Sequence, residues 1–183
     1  RAVLRKVLQL YEARGWEPVV APEMEFYLIR QNNNPHEPLR PPSGRAGRSE
    51  VGRQSFSIDA VNDSDPYIHA LSAFCQAAEL NVETLIHEVG AAQMEINFTH
   101  GDAMSLADQV FLFKRAVRET AYRHNIFATF MAKPMEGEPG SAMHIHQSIV
   151  DDSGANIFSQ PDGSASALFF HHIGGMQRYL PRA

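Results

Sequence analysis

The chain has 183 residues, and its 44% of hydrophobic side chains is enough to build the core of one domain. Its 16 basic and 21 acidic residues give a formal net charge of −5, which argues against nucleic acid as a partner. A single cysteine excludes an internal disulfide framework, and the sequence has neither a membrane-length apolar run nor a signal-peptide pattern. These features predict a cytoplasmic protein without a membrane partner.

The first quarter of the chain is predicted to form a helix, a strand and a long loop. Apolar residues recur at helical spacing over residues 3–11, and Gly15 is typical of a helix end. Alternation over residues 19–29 predicts a strand with one apolar face and one acidic face. Proline, glycine, asparagine and arginine dominate residues 31–49, so we expect a loop that is either ligand-facing or merely solvated.

The middle of the chain is predicted to contain a hairpin between two helices. Asp65-Pro66 opens a helix with an apolar stripe that includes Cys75, so this cysteine is more typical of a core than of a nucleophile. Gly90-Ala91-Ala92 predicts a tight turn between two strands. The next helix is expected over residues 105–123, with Ser105 beginning a capping-box-like sequence.

The last third of the chain is predicted to form two strands and a final helix. Residues 126–131 form the first strand, and a loop over residues 133–141 leads into a strand that carries two histidines. Gly140 in this loop permits the backbone to approach a ligand closely, although loop glycines often serve only the turn. Residues 168–180 then form the helix. This order predicts an α+β fold with a curved, largely antiparallel sheet backed by helices, whose concave face holds the site.

Four carboxylates are expected on one face of the sheet. Side chains two apart on a strand leave the same face, so Glu23 and Glu25 point into one cavity. Glu88 and Glu95 are an odd number of positions apart along the chain, but the turn at Gly90 brings both back to one side. Taken alone, a Glu-x-Glu pair is more often the wet face of a sheet. So many carboxylates together would repel one another without cations to neutralise them.

The histidine strand supplies ligands of a second kind. His144, His146 and Ser148 share a face by the same two-residue rule. Carboxylate oxygens with an occasional imidazole suit Mg²⁺ or Mn²⁺, whereas a closed zinc site usually recruits cysteines or several histidines. The combined set therefore predicts a site for a pair of divalent cations.

The candidate ligands lie in three segments with distinctive motifs. These are Ala-Pro-Glu-Met-Glu-Phe at 21–26, His-Glu-Val-Gly through Gln-Met-Glu-Ile-Asn at 87–97, and the run over 128–148 that contains Met-His-Ile-His-Gln-Ser. Together they resemble the catalytic domain of the glutamine synthetase family. The stretches at 52–59 and 101–109 resemble the branch that includes γ-glutamylpolyamine synthetases. The order and spacing of the segments agree with the family over nearly the whole chain.

This resemblance implies an ATP-dependent ligase that joins the γ-carboxyl group of glutamate to ammonia or an amine through a γ-glutamyl phosphate, with Mg²⁺ or Mn²⁺ as cofactor. The matching positions imply ligands in two groups, Glu25, Glu88 and Glu95 for the metal on the glutamate side, and Glu23 and His144 for the metal that bridges the ATP phosphates. The implied nucleotide contacts are Glu83, His146 and Ser148. Gly140 matches the backbone that meets the glutamate substrate.

The resemblance also implies how these residues fit into a larger protein. Residues 1–183 match the N-terminal and central part of the catalytic domain, so a small β-grasp-like domain is expected before them and the remainder of the domain, with the last metal ligand, after them. Family members form homo-oligomeric rings whose active sites lie between subunits.

The sequence leaves open which amine accepts the γ-glutamyl group. Phe56 stands where many relatives have a tyrosine near the ammonium pocket, and the missing hydroxyl favours a bulkier amine. One alternative is therefore a γ-glutamylpolyamine synthetase of the putrescine type. Another is a catalytically silent relative that kept the fold as a structural protein, and a third is a metal-binding sheet without a nucleotide.

Overall fold

The computed structural model describes residues 1–182, which divide into two compact units. Unit 1 holds Arg1–Val20, His100–Ser105 and the chain from His146 onward, and unit 2 holds Ala21–Thr99 and Leu106–Ile145. The helices and strands are, in chain order, α1 (Ala2–Glu12), β1 (Trp16–Arg30), α2 (Ile58–Asn62), α3 (Asp65–Ala77), β2 (Val82–His87), β3 (Gln93–Phe98), β4 (Gly101–Asp102), α4 (Ala103–Arg123), β5 (Ile126–Thr129), β6 (Met143–Asp151) and α5 (Ala167–Tyr179), followed by a 3₁₀ helix at Leu180–Arg182.

Strand β1 is the common partner in the sheet of unit 2. It pairs antiparallel with β3, which in turn pairs antiparallel with β2 to complete the predicted hairpin. The end of β1 pairs antiparallel with β5, and the Glu25 N–H donates to the Ala142 carbonyl just before β6. The predicted class is confirmed as an open antiparallel sheet backed by helices.

Aromatic packing joins the sheet of unit 2 to α4. Phe26 on β1 and Phe98 on β3 are fully buried, and both rings meet Phe113 of α4 edge to face, with centroids 6.3 and 5.4 Å apart. Removing one such side chain from water contributes about 1.5–3 kcal/mol. We call this side of the sheet the back face. Because side chains alternate along β1, the neighbours of Phe26 are turned to the opposite side, the front face.

Two loops pack on the front face at the far end of β1. Tyr27, Ile29 and Met135 form a buried cluster, with Leu39 and Phe127 packed against it. The Arg30 N–H also donates to the Arg40 carbonyl at 3.0 Å. The loop expected over residues 31–49 is therefore docked on the sheet at Leu39, so it is not merely solvated.

The start of α4 corrects one prediction. The helix begins at Ala103, and the Asp102 carboxylate accepts the N–H groups of Met104 at 3.2 Å and Ser105 at 2.8 Å. Asp102 thus satisfies the first free amides of the helix. The predicted start at Ser105 was wrong because Ser105 already lies inside the first turn.

Unit 1 is built around short strands and two helices. Val19 and Val20 of β1 pair antiparallel with β4, and the Ser166 hydroxyl accepts the Phe169 N–H at 3.3 Å at the start of α5. The rings of Phe158 and Phe169 pack edge to face at 5.7 Å. Among the described helices, including the 21 residues of α4, none is both long and apolar enough to cross a membrane.

Candidate metal centre

The strand register brings three of the four predicted carboxylates together on the front face. Glu25 on β1 lies directly opposite Glu95 on β3, and Glu23 lies opposite Asn97. Directly opposed residues of an antiparallel pair share a face, so these side chains all project to the front. The sequence predicted this grouping from alternation and from the turn at Gly90.

His144 completes a compact set of ligand atoms. One ligand atom each from Glu23, Glu95 and His144 lies within 4.8 Å of the others, and His144 Nδ1 is 3.6 Å from Glu23 Oε2. Glu95 is only 7% exposed, while Glu23 is half-buried and His144 is exposed. Two carboxylates and one imidazole form a donor set that suits Mg²⁺ or Mn²⁺.

The electrostatics of the site fit a cation. The pKa of the Glu95 carboxyl is raised to about 7, mainly by burial and also by the charges of Glu23, Glu88 and Glu25, against the opposing effect of His144. Burial also raises the pKa of Glu25, with contributions from Glu88 and Glu23. Glu25 and Glu88 therefore interact electrostatically with the trio of Glu23, Glu95 and His144. A bound cation would relieve this repulsion, so the residues present fit a divalent metal.

Glu25 is held by contacts that the sequence did not predict. Its Oε2 accepts the Gln93 side-chain N–H at 2.9 Å and the Ala142 backbone N–H at 3.1 Å. Gln93 also donates to the Gly140 carbonyl at 3.0 Å, and its Oε1 accepts the Gly90 N–H at 2.9 Å. Gln93 is buried, and these bonds fix the orientation of the Glu25 carboxylate. The available signal was position, since Gln93 lies two residues before Glu95 and so shares its face.

Tyr27 extends the same network from β1. Its hydroxyl donates to the Pro139 carbonyl at 2.8 Å and lies 3.2 Å from Gln93 Oε1. A Cβ at Gly90 would come within 1.9 Å of this hydroxyl, so the turn needs glycine there. A Cβ at Gly140 would meet the Ala132 carbonyl oxygen at 2.7 Å. The glycine at 140 thus has a reason within the protein, and its contact with glutamate stays a prediction.

The expected nucleotide contacts lie outside the trio. Glu83 is exposed at an irregularity between β2 and β3, where it lines a cavity of about 240 Å³ together with Cys75 and Leu85. Burial raises the pKa of the Cys75 thiol to about 11, as expected of a core cysteine. His146 and Ser148 follow His144 on β6 and belong to unit 1. The roles of Glu83, His146 and Ser148 stay predictions.

The chain belongs to the glutamine synthetase family. The profile described as "Glutamine synthetase, catalytic domain" matches residues 1–183. This assignment agrees with the antiparallel sheet and with the acidic front face.

Two curated relatives cover almost the whole chain. A glutamine synthetase from Pyrococcus horikoshii is 37% identical over 180 residues, which are 98% of this chain and 38% of that protein. The gamma-glutamylputrescine synthetase PuuA of Escherichia coli K12 is 34% identical over 184 residues, which are 99% of this chain and 39% of that protein. The chain therefore spans about two fifths of the length of these relatives.

Solved structures support the fold. A cryo-EM structure of Plasmodium falciparum glutamine synthetase aligns with a TM-score of 0.84 at 21% identity, covering 97% of this chain and 39% of that one. An apo structure of GmaS aligns with a TM-score of 0.78 at 24% identity, covering 94% of this chain and 39% of that one. At these identities the likeness concerns the fold alone.

Proposed function

We propose that the protein is an ATP-dependent ligase that joins the γ-carboxyl group of glutamate to ammonia or an amine through a γ-glutamyl phosphate. The observation that carries this proposal is the trio of Glu23, Glu95 and His144, in which burial and acidic neighbours raise the pKa of Glu95. Family membership supports the same reaction class.

Each candidate metal ligand has a proposed task. Glu25, Glu88 and Glu95 would hold one divalent cation on the glutamate side, and Glu23 and His144 would hold a second. Bound Mg²⁺ or Mn²⁺ would offset the charge of the ATP phosphates and of the transferring phosphoryl group. Gln93 and the Ala142 amide keep the Glu25 carboxylate oriented toward this task. Phosphoryl transfer needs mainly such positioning and charge neutralisation, so no covalent nucleophile is required.

We also propose residues that contact the two substrates, glutamate and the nucleotide. The backbone at Gly140, held by Gln93, would meet glutamate. Glu83, His146 and Ser148 would contact the nucleotide. The matched relatives contain residues outside the matched region, and we propose that the intact protein uses such residues to complete the site, in a homo-oligomeric ring with active sites between subunits.

A polyamine acceptor is the second candidate. PuuA, named for γ-glutamylputrescine, is 34% identical to this chain. Phe56 also favours this reading, since it is 68% exposed and adds no hydroxyl where a small cation would need one. A silent structural relative is less well supported, because all five expected metal ligands are present and three of them lie together.

Release of ADP by the intact protein tests the reaction and names the acceptor. The assay contains Mg²⁺, ATP and L-glutamate, with ammonium, putrescine, longer polyamines or simple monoamines in turn. We expect ADP release that requires glutamate and one class of amine, and loss of this activity in the Glu25→Ala variant. Binding of metal and ATP without amine-dependent turnover would favour the silent relative. Failure of ATP to bind in the presence of Mg²⁺ would favour a metal-binding sheet without a nucleotide.

A further inference from the structure

Glu50 reaches from the loop after β1 to the turn between β2 and β3. A single oxygen, Oε2, lies 3.0 Å from His87 Nε2 and accepts the Ala92 N–H at 2.8 Å. The His87 side chain is fully buried, and that of Glu50 is 12% exposed. One carboxylate oxygen therefore ties together both sides of the hairpin turn, His87 at the end of β2 and Ala92 just before β3.

The turn requires outside support because of its backbone conformation. Ala92 has a φ of 57°, in the left-handed region that residues other than glycine seldom adopt. Such a conformation persists where surrounding contacts fix it. The three successive N–H groups of the turn each donate to a side-chain oxygen, those of Gly90 to Gln93, of Ala91 to Glu138 and of Ala92 to Glu50.

His87 links Glu50 to Glu88 through contacts of its two ring nitrogens. His87 Nδ1 lies 2.7 Å from the Glu88 carbonyl oxygen, and the Phe56 N–H donates to the His87 carbonyl at 2.8 Å. The Glu88 carboxylate in turn accepts the Val89 N–H at 3.1 Å. The peptide that carries the Glu88 side chain is therefore held by the His87 ring, which is held by Glu50.

The second oxygen of Glu50 indicates a role other than stability. Oε1 is buried and has no hydrogen-bond partner among the described residues. A buried acceptor without a partner lowers the stability of the folded chain, and a buried ion pair is a poor stabiliser in general. Because Glu50 lowers stability in this way, its presence is better explained by the groups that it positions.

We propose that Glu50 is a positioning residue for the candidate metal centre, acting through His87 and the Ala92 amide to fix the turn that presents Glu88. Glu50 itself does not contact the metal. The inference rests on the proposed function, because an oriented Glu88 matters only where a cation binds. The same contacts join the loop after β1 to the hairpin, so order in this loop and affinity for the cation are expected to change together.

Binding of Mn²⁺ to the intact protein, measured by titration calorimetry, tests the inference with Glu50→Gln. We expect about tenfold weaker binding, as for other residues that orient metal ligands. The Mn²⁺ concentration for half-maximal activity should rise by the same factor while the rate at saturating Mn²⁺ changes less than about twofold. Amide exchange over residues 88–93 should become faster in the metal-free variant. Glu37→Gln is the matched control, since Glu37 is an exposed residue of the same loop, 3.8 Å from Arg30, and should leave all three measurements unchanged.

The outcomes separate this inference from the proposed function. Binding of Mn²⁺ by Glu50→Gln with the affinity of the unsubstituted protein would overturn the positioning role and leave the proposed function standing. Absence of Mn²⁺ binding by the unsubstituted protein would overturn both. If Glu50→Gln does not fold, Glu50→Asp replaces it, because the shorter carboxylate cannot reach both His87 and Ala92 and should weaken Mn²⁺ binding in the same direction. Unchanged affinity in Glu50→Asp would likewise overturn the inference.

Discussion

Over residues 23–26 the two faces of β1 share one backbone and have opposite chemistry. On the back face Met24, Phe26 and Leu28 are buried in the core. On the front face Glu23 and Glu25 lie beside Glu95, a buried carboxylate whose pKa is raised to about 7 by burial and by its acidic neighbours. A two-residue period thus separates side chains that stabilise the fold from side chains that repel one another in the absence of a cation. The predictions below compare the consequences of changing each face.

The largest effect, a loss of stability, is expected from a substitution in the core behind the back face. Phe113→Ala removes the ring that meets both Phe26 and Phe98, and it should lower the free energy of unfolding by about 3–5 kcal/mol in a denaturant titration. Phe111→Ala on the same helix is the control, because Phe111 is exposed and its loss should change the free energy of unfolding by no more than about 0.5 kcal/mol. Equal losses in the two variants would contradict the assignment of Phe113 to the core.

In the absence of metal, removing a charge from the front face should leave the stability unchanged or increase it, unlike the change on the back face. Glu95→Gln removes a buried charge that is repelled by Glu23, Glu88 and Glu25, so the metal-free variant should melt at the same temperature as the unsubstituted protein or higher. Saturating Mn²⁺ should raise the melting temperature of the unsubstituted protein, and about a hundredfold weaker binding should remove this effect in Glu95→Gln. A metal-free variant that melts well below the unsubstituted protein would mean that Glu95 serves the fold.

Gln93 lies between these extremes because it is buried and also orients a proposed ligand. Gln93→Leu should lower the free energy of unfolding by about 1–3 kcal/mol, since the Gly90 N–H and the Gly140 carbonyl lose a buried partner. It should also weaken Mn²⁺ binding about tenfold through the released Glu25 carboxylate. Calorimetry and denaturant titration measure the two effects. Loss of stability with unchanged affinity for Mn²⁺ would limit Gln93 to a structural role.

The smallest expected effect is a change of stability with pH. Bound metal should reverse the direction of this change. The pKa of Glu95 is raised from its ordinary 4.5 to about 7, so the folded metal-free chain binds a proton more tightly than the unfolded chain. Its stability should therefore increase by about 1 kcal/mol as the pH falls from 8 to 6. With saturating Mn²⁺ the trend should reverse, because protons compete with the metal for the carboxylate. Thermal melts at both pH values with and without Mn²⁺ measure this, and the same trend in both conditions would contradict a cation at Glu95.

The sequence predicted the face of the sheet that carries the acids because local rules determine it. Alternation predicted a strand over residues 19–29, and the structure has Trp16–Arg30. The turn at Gly90 predicted the hairpin of β2 and β3, the register places Glu25 opposite Glu95, and the charge of Glu88 contributes to the raised pKa of Glu95. Two-residue periodicity and turn chemistry act over a few residues, so they can be detected in one sequence.

The contacts that orient these acids were not predictable because they link distant segments. Tyr27 reaches Pro139, 112 residues away, and Glu50 reaches Ala92, 42 residues away. A hydrogen bond of this kind leaves no periodic pattern. The short helix α2 was missed as well, because the 5 residues of Ile58–Asn62 are too few to show a helical repeat. The start of α4 was misplaced because Asp102 and Ser105 are both good capping residues, and only the backbone shows which one caps.

Calorimetric titration of the intact protein with Mn²⁺ at pH 8 tests the proposed metal centre most directly. We expect saturable binding of more than one cation per chain, strongly weakened in both Glu23→Gln and Glu95→Gln. Glu119→Gln, which changes an exposed carboxylate of α4, should bind as the unsubstituted protein does. Absence of saturable binding, or equal binding by Glu95→Gln and Glu119→Gln, would contradict a metal centre on the front face of the sheet.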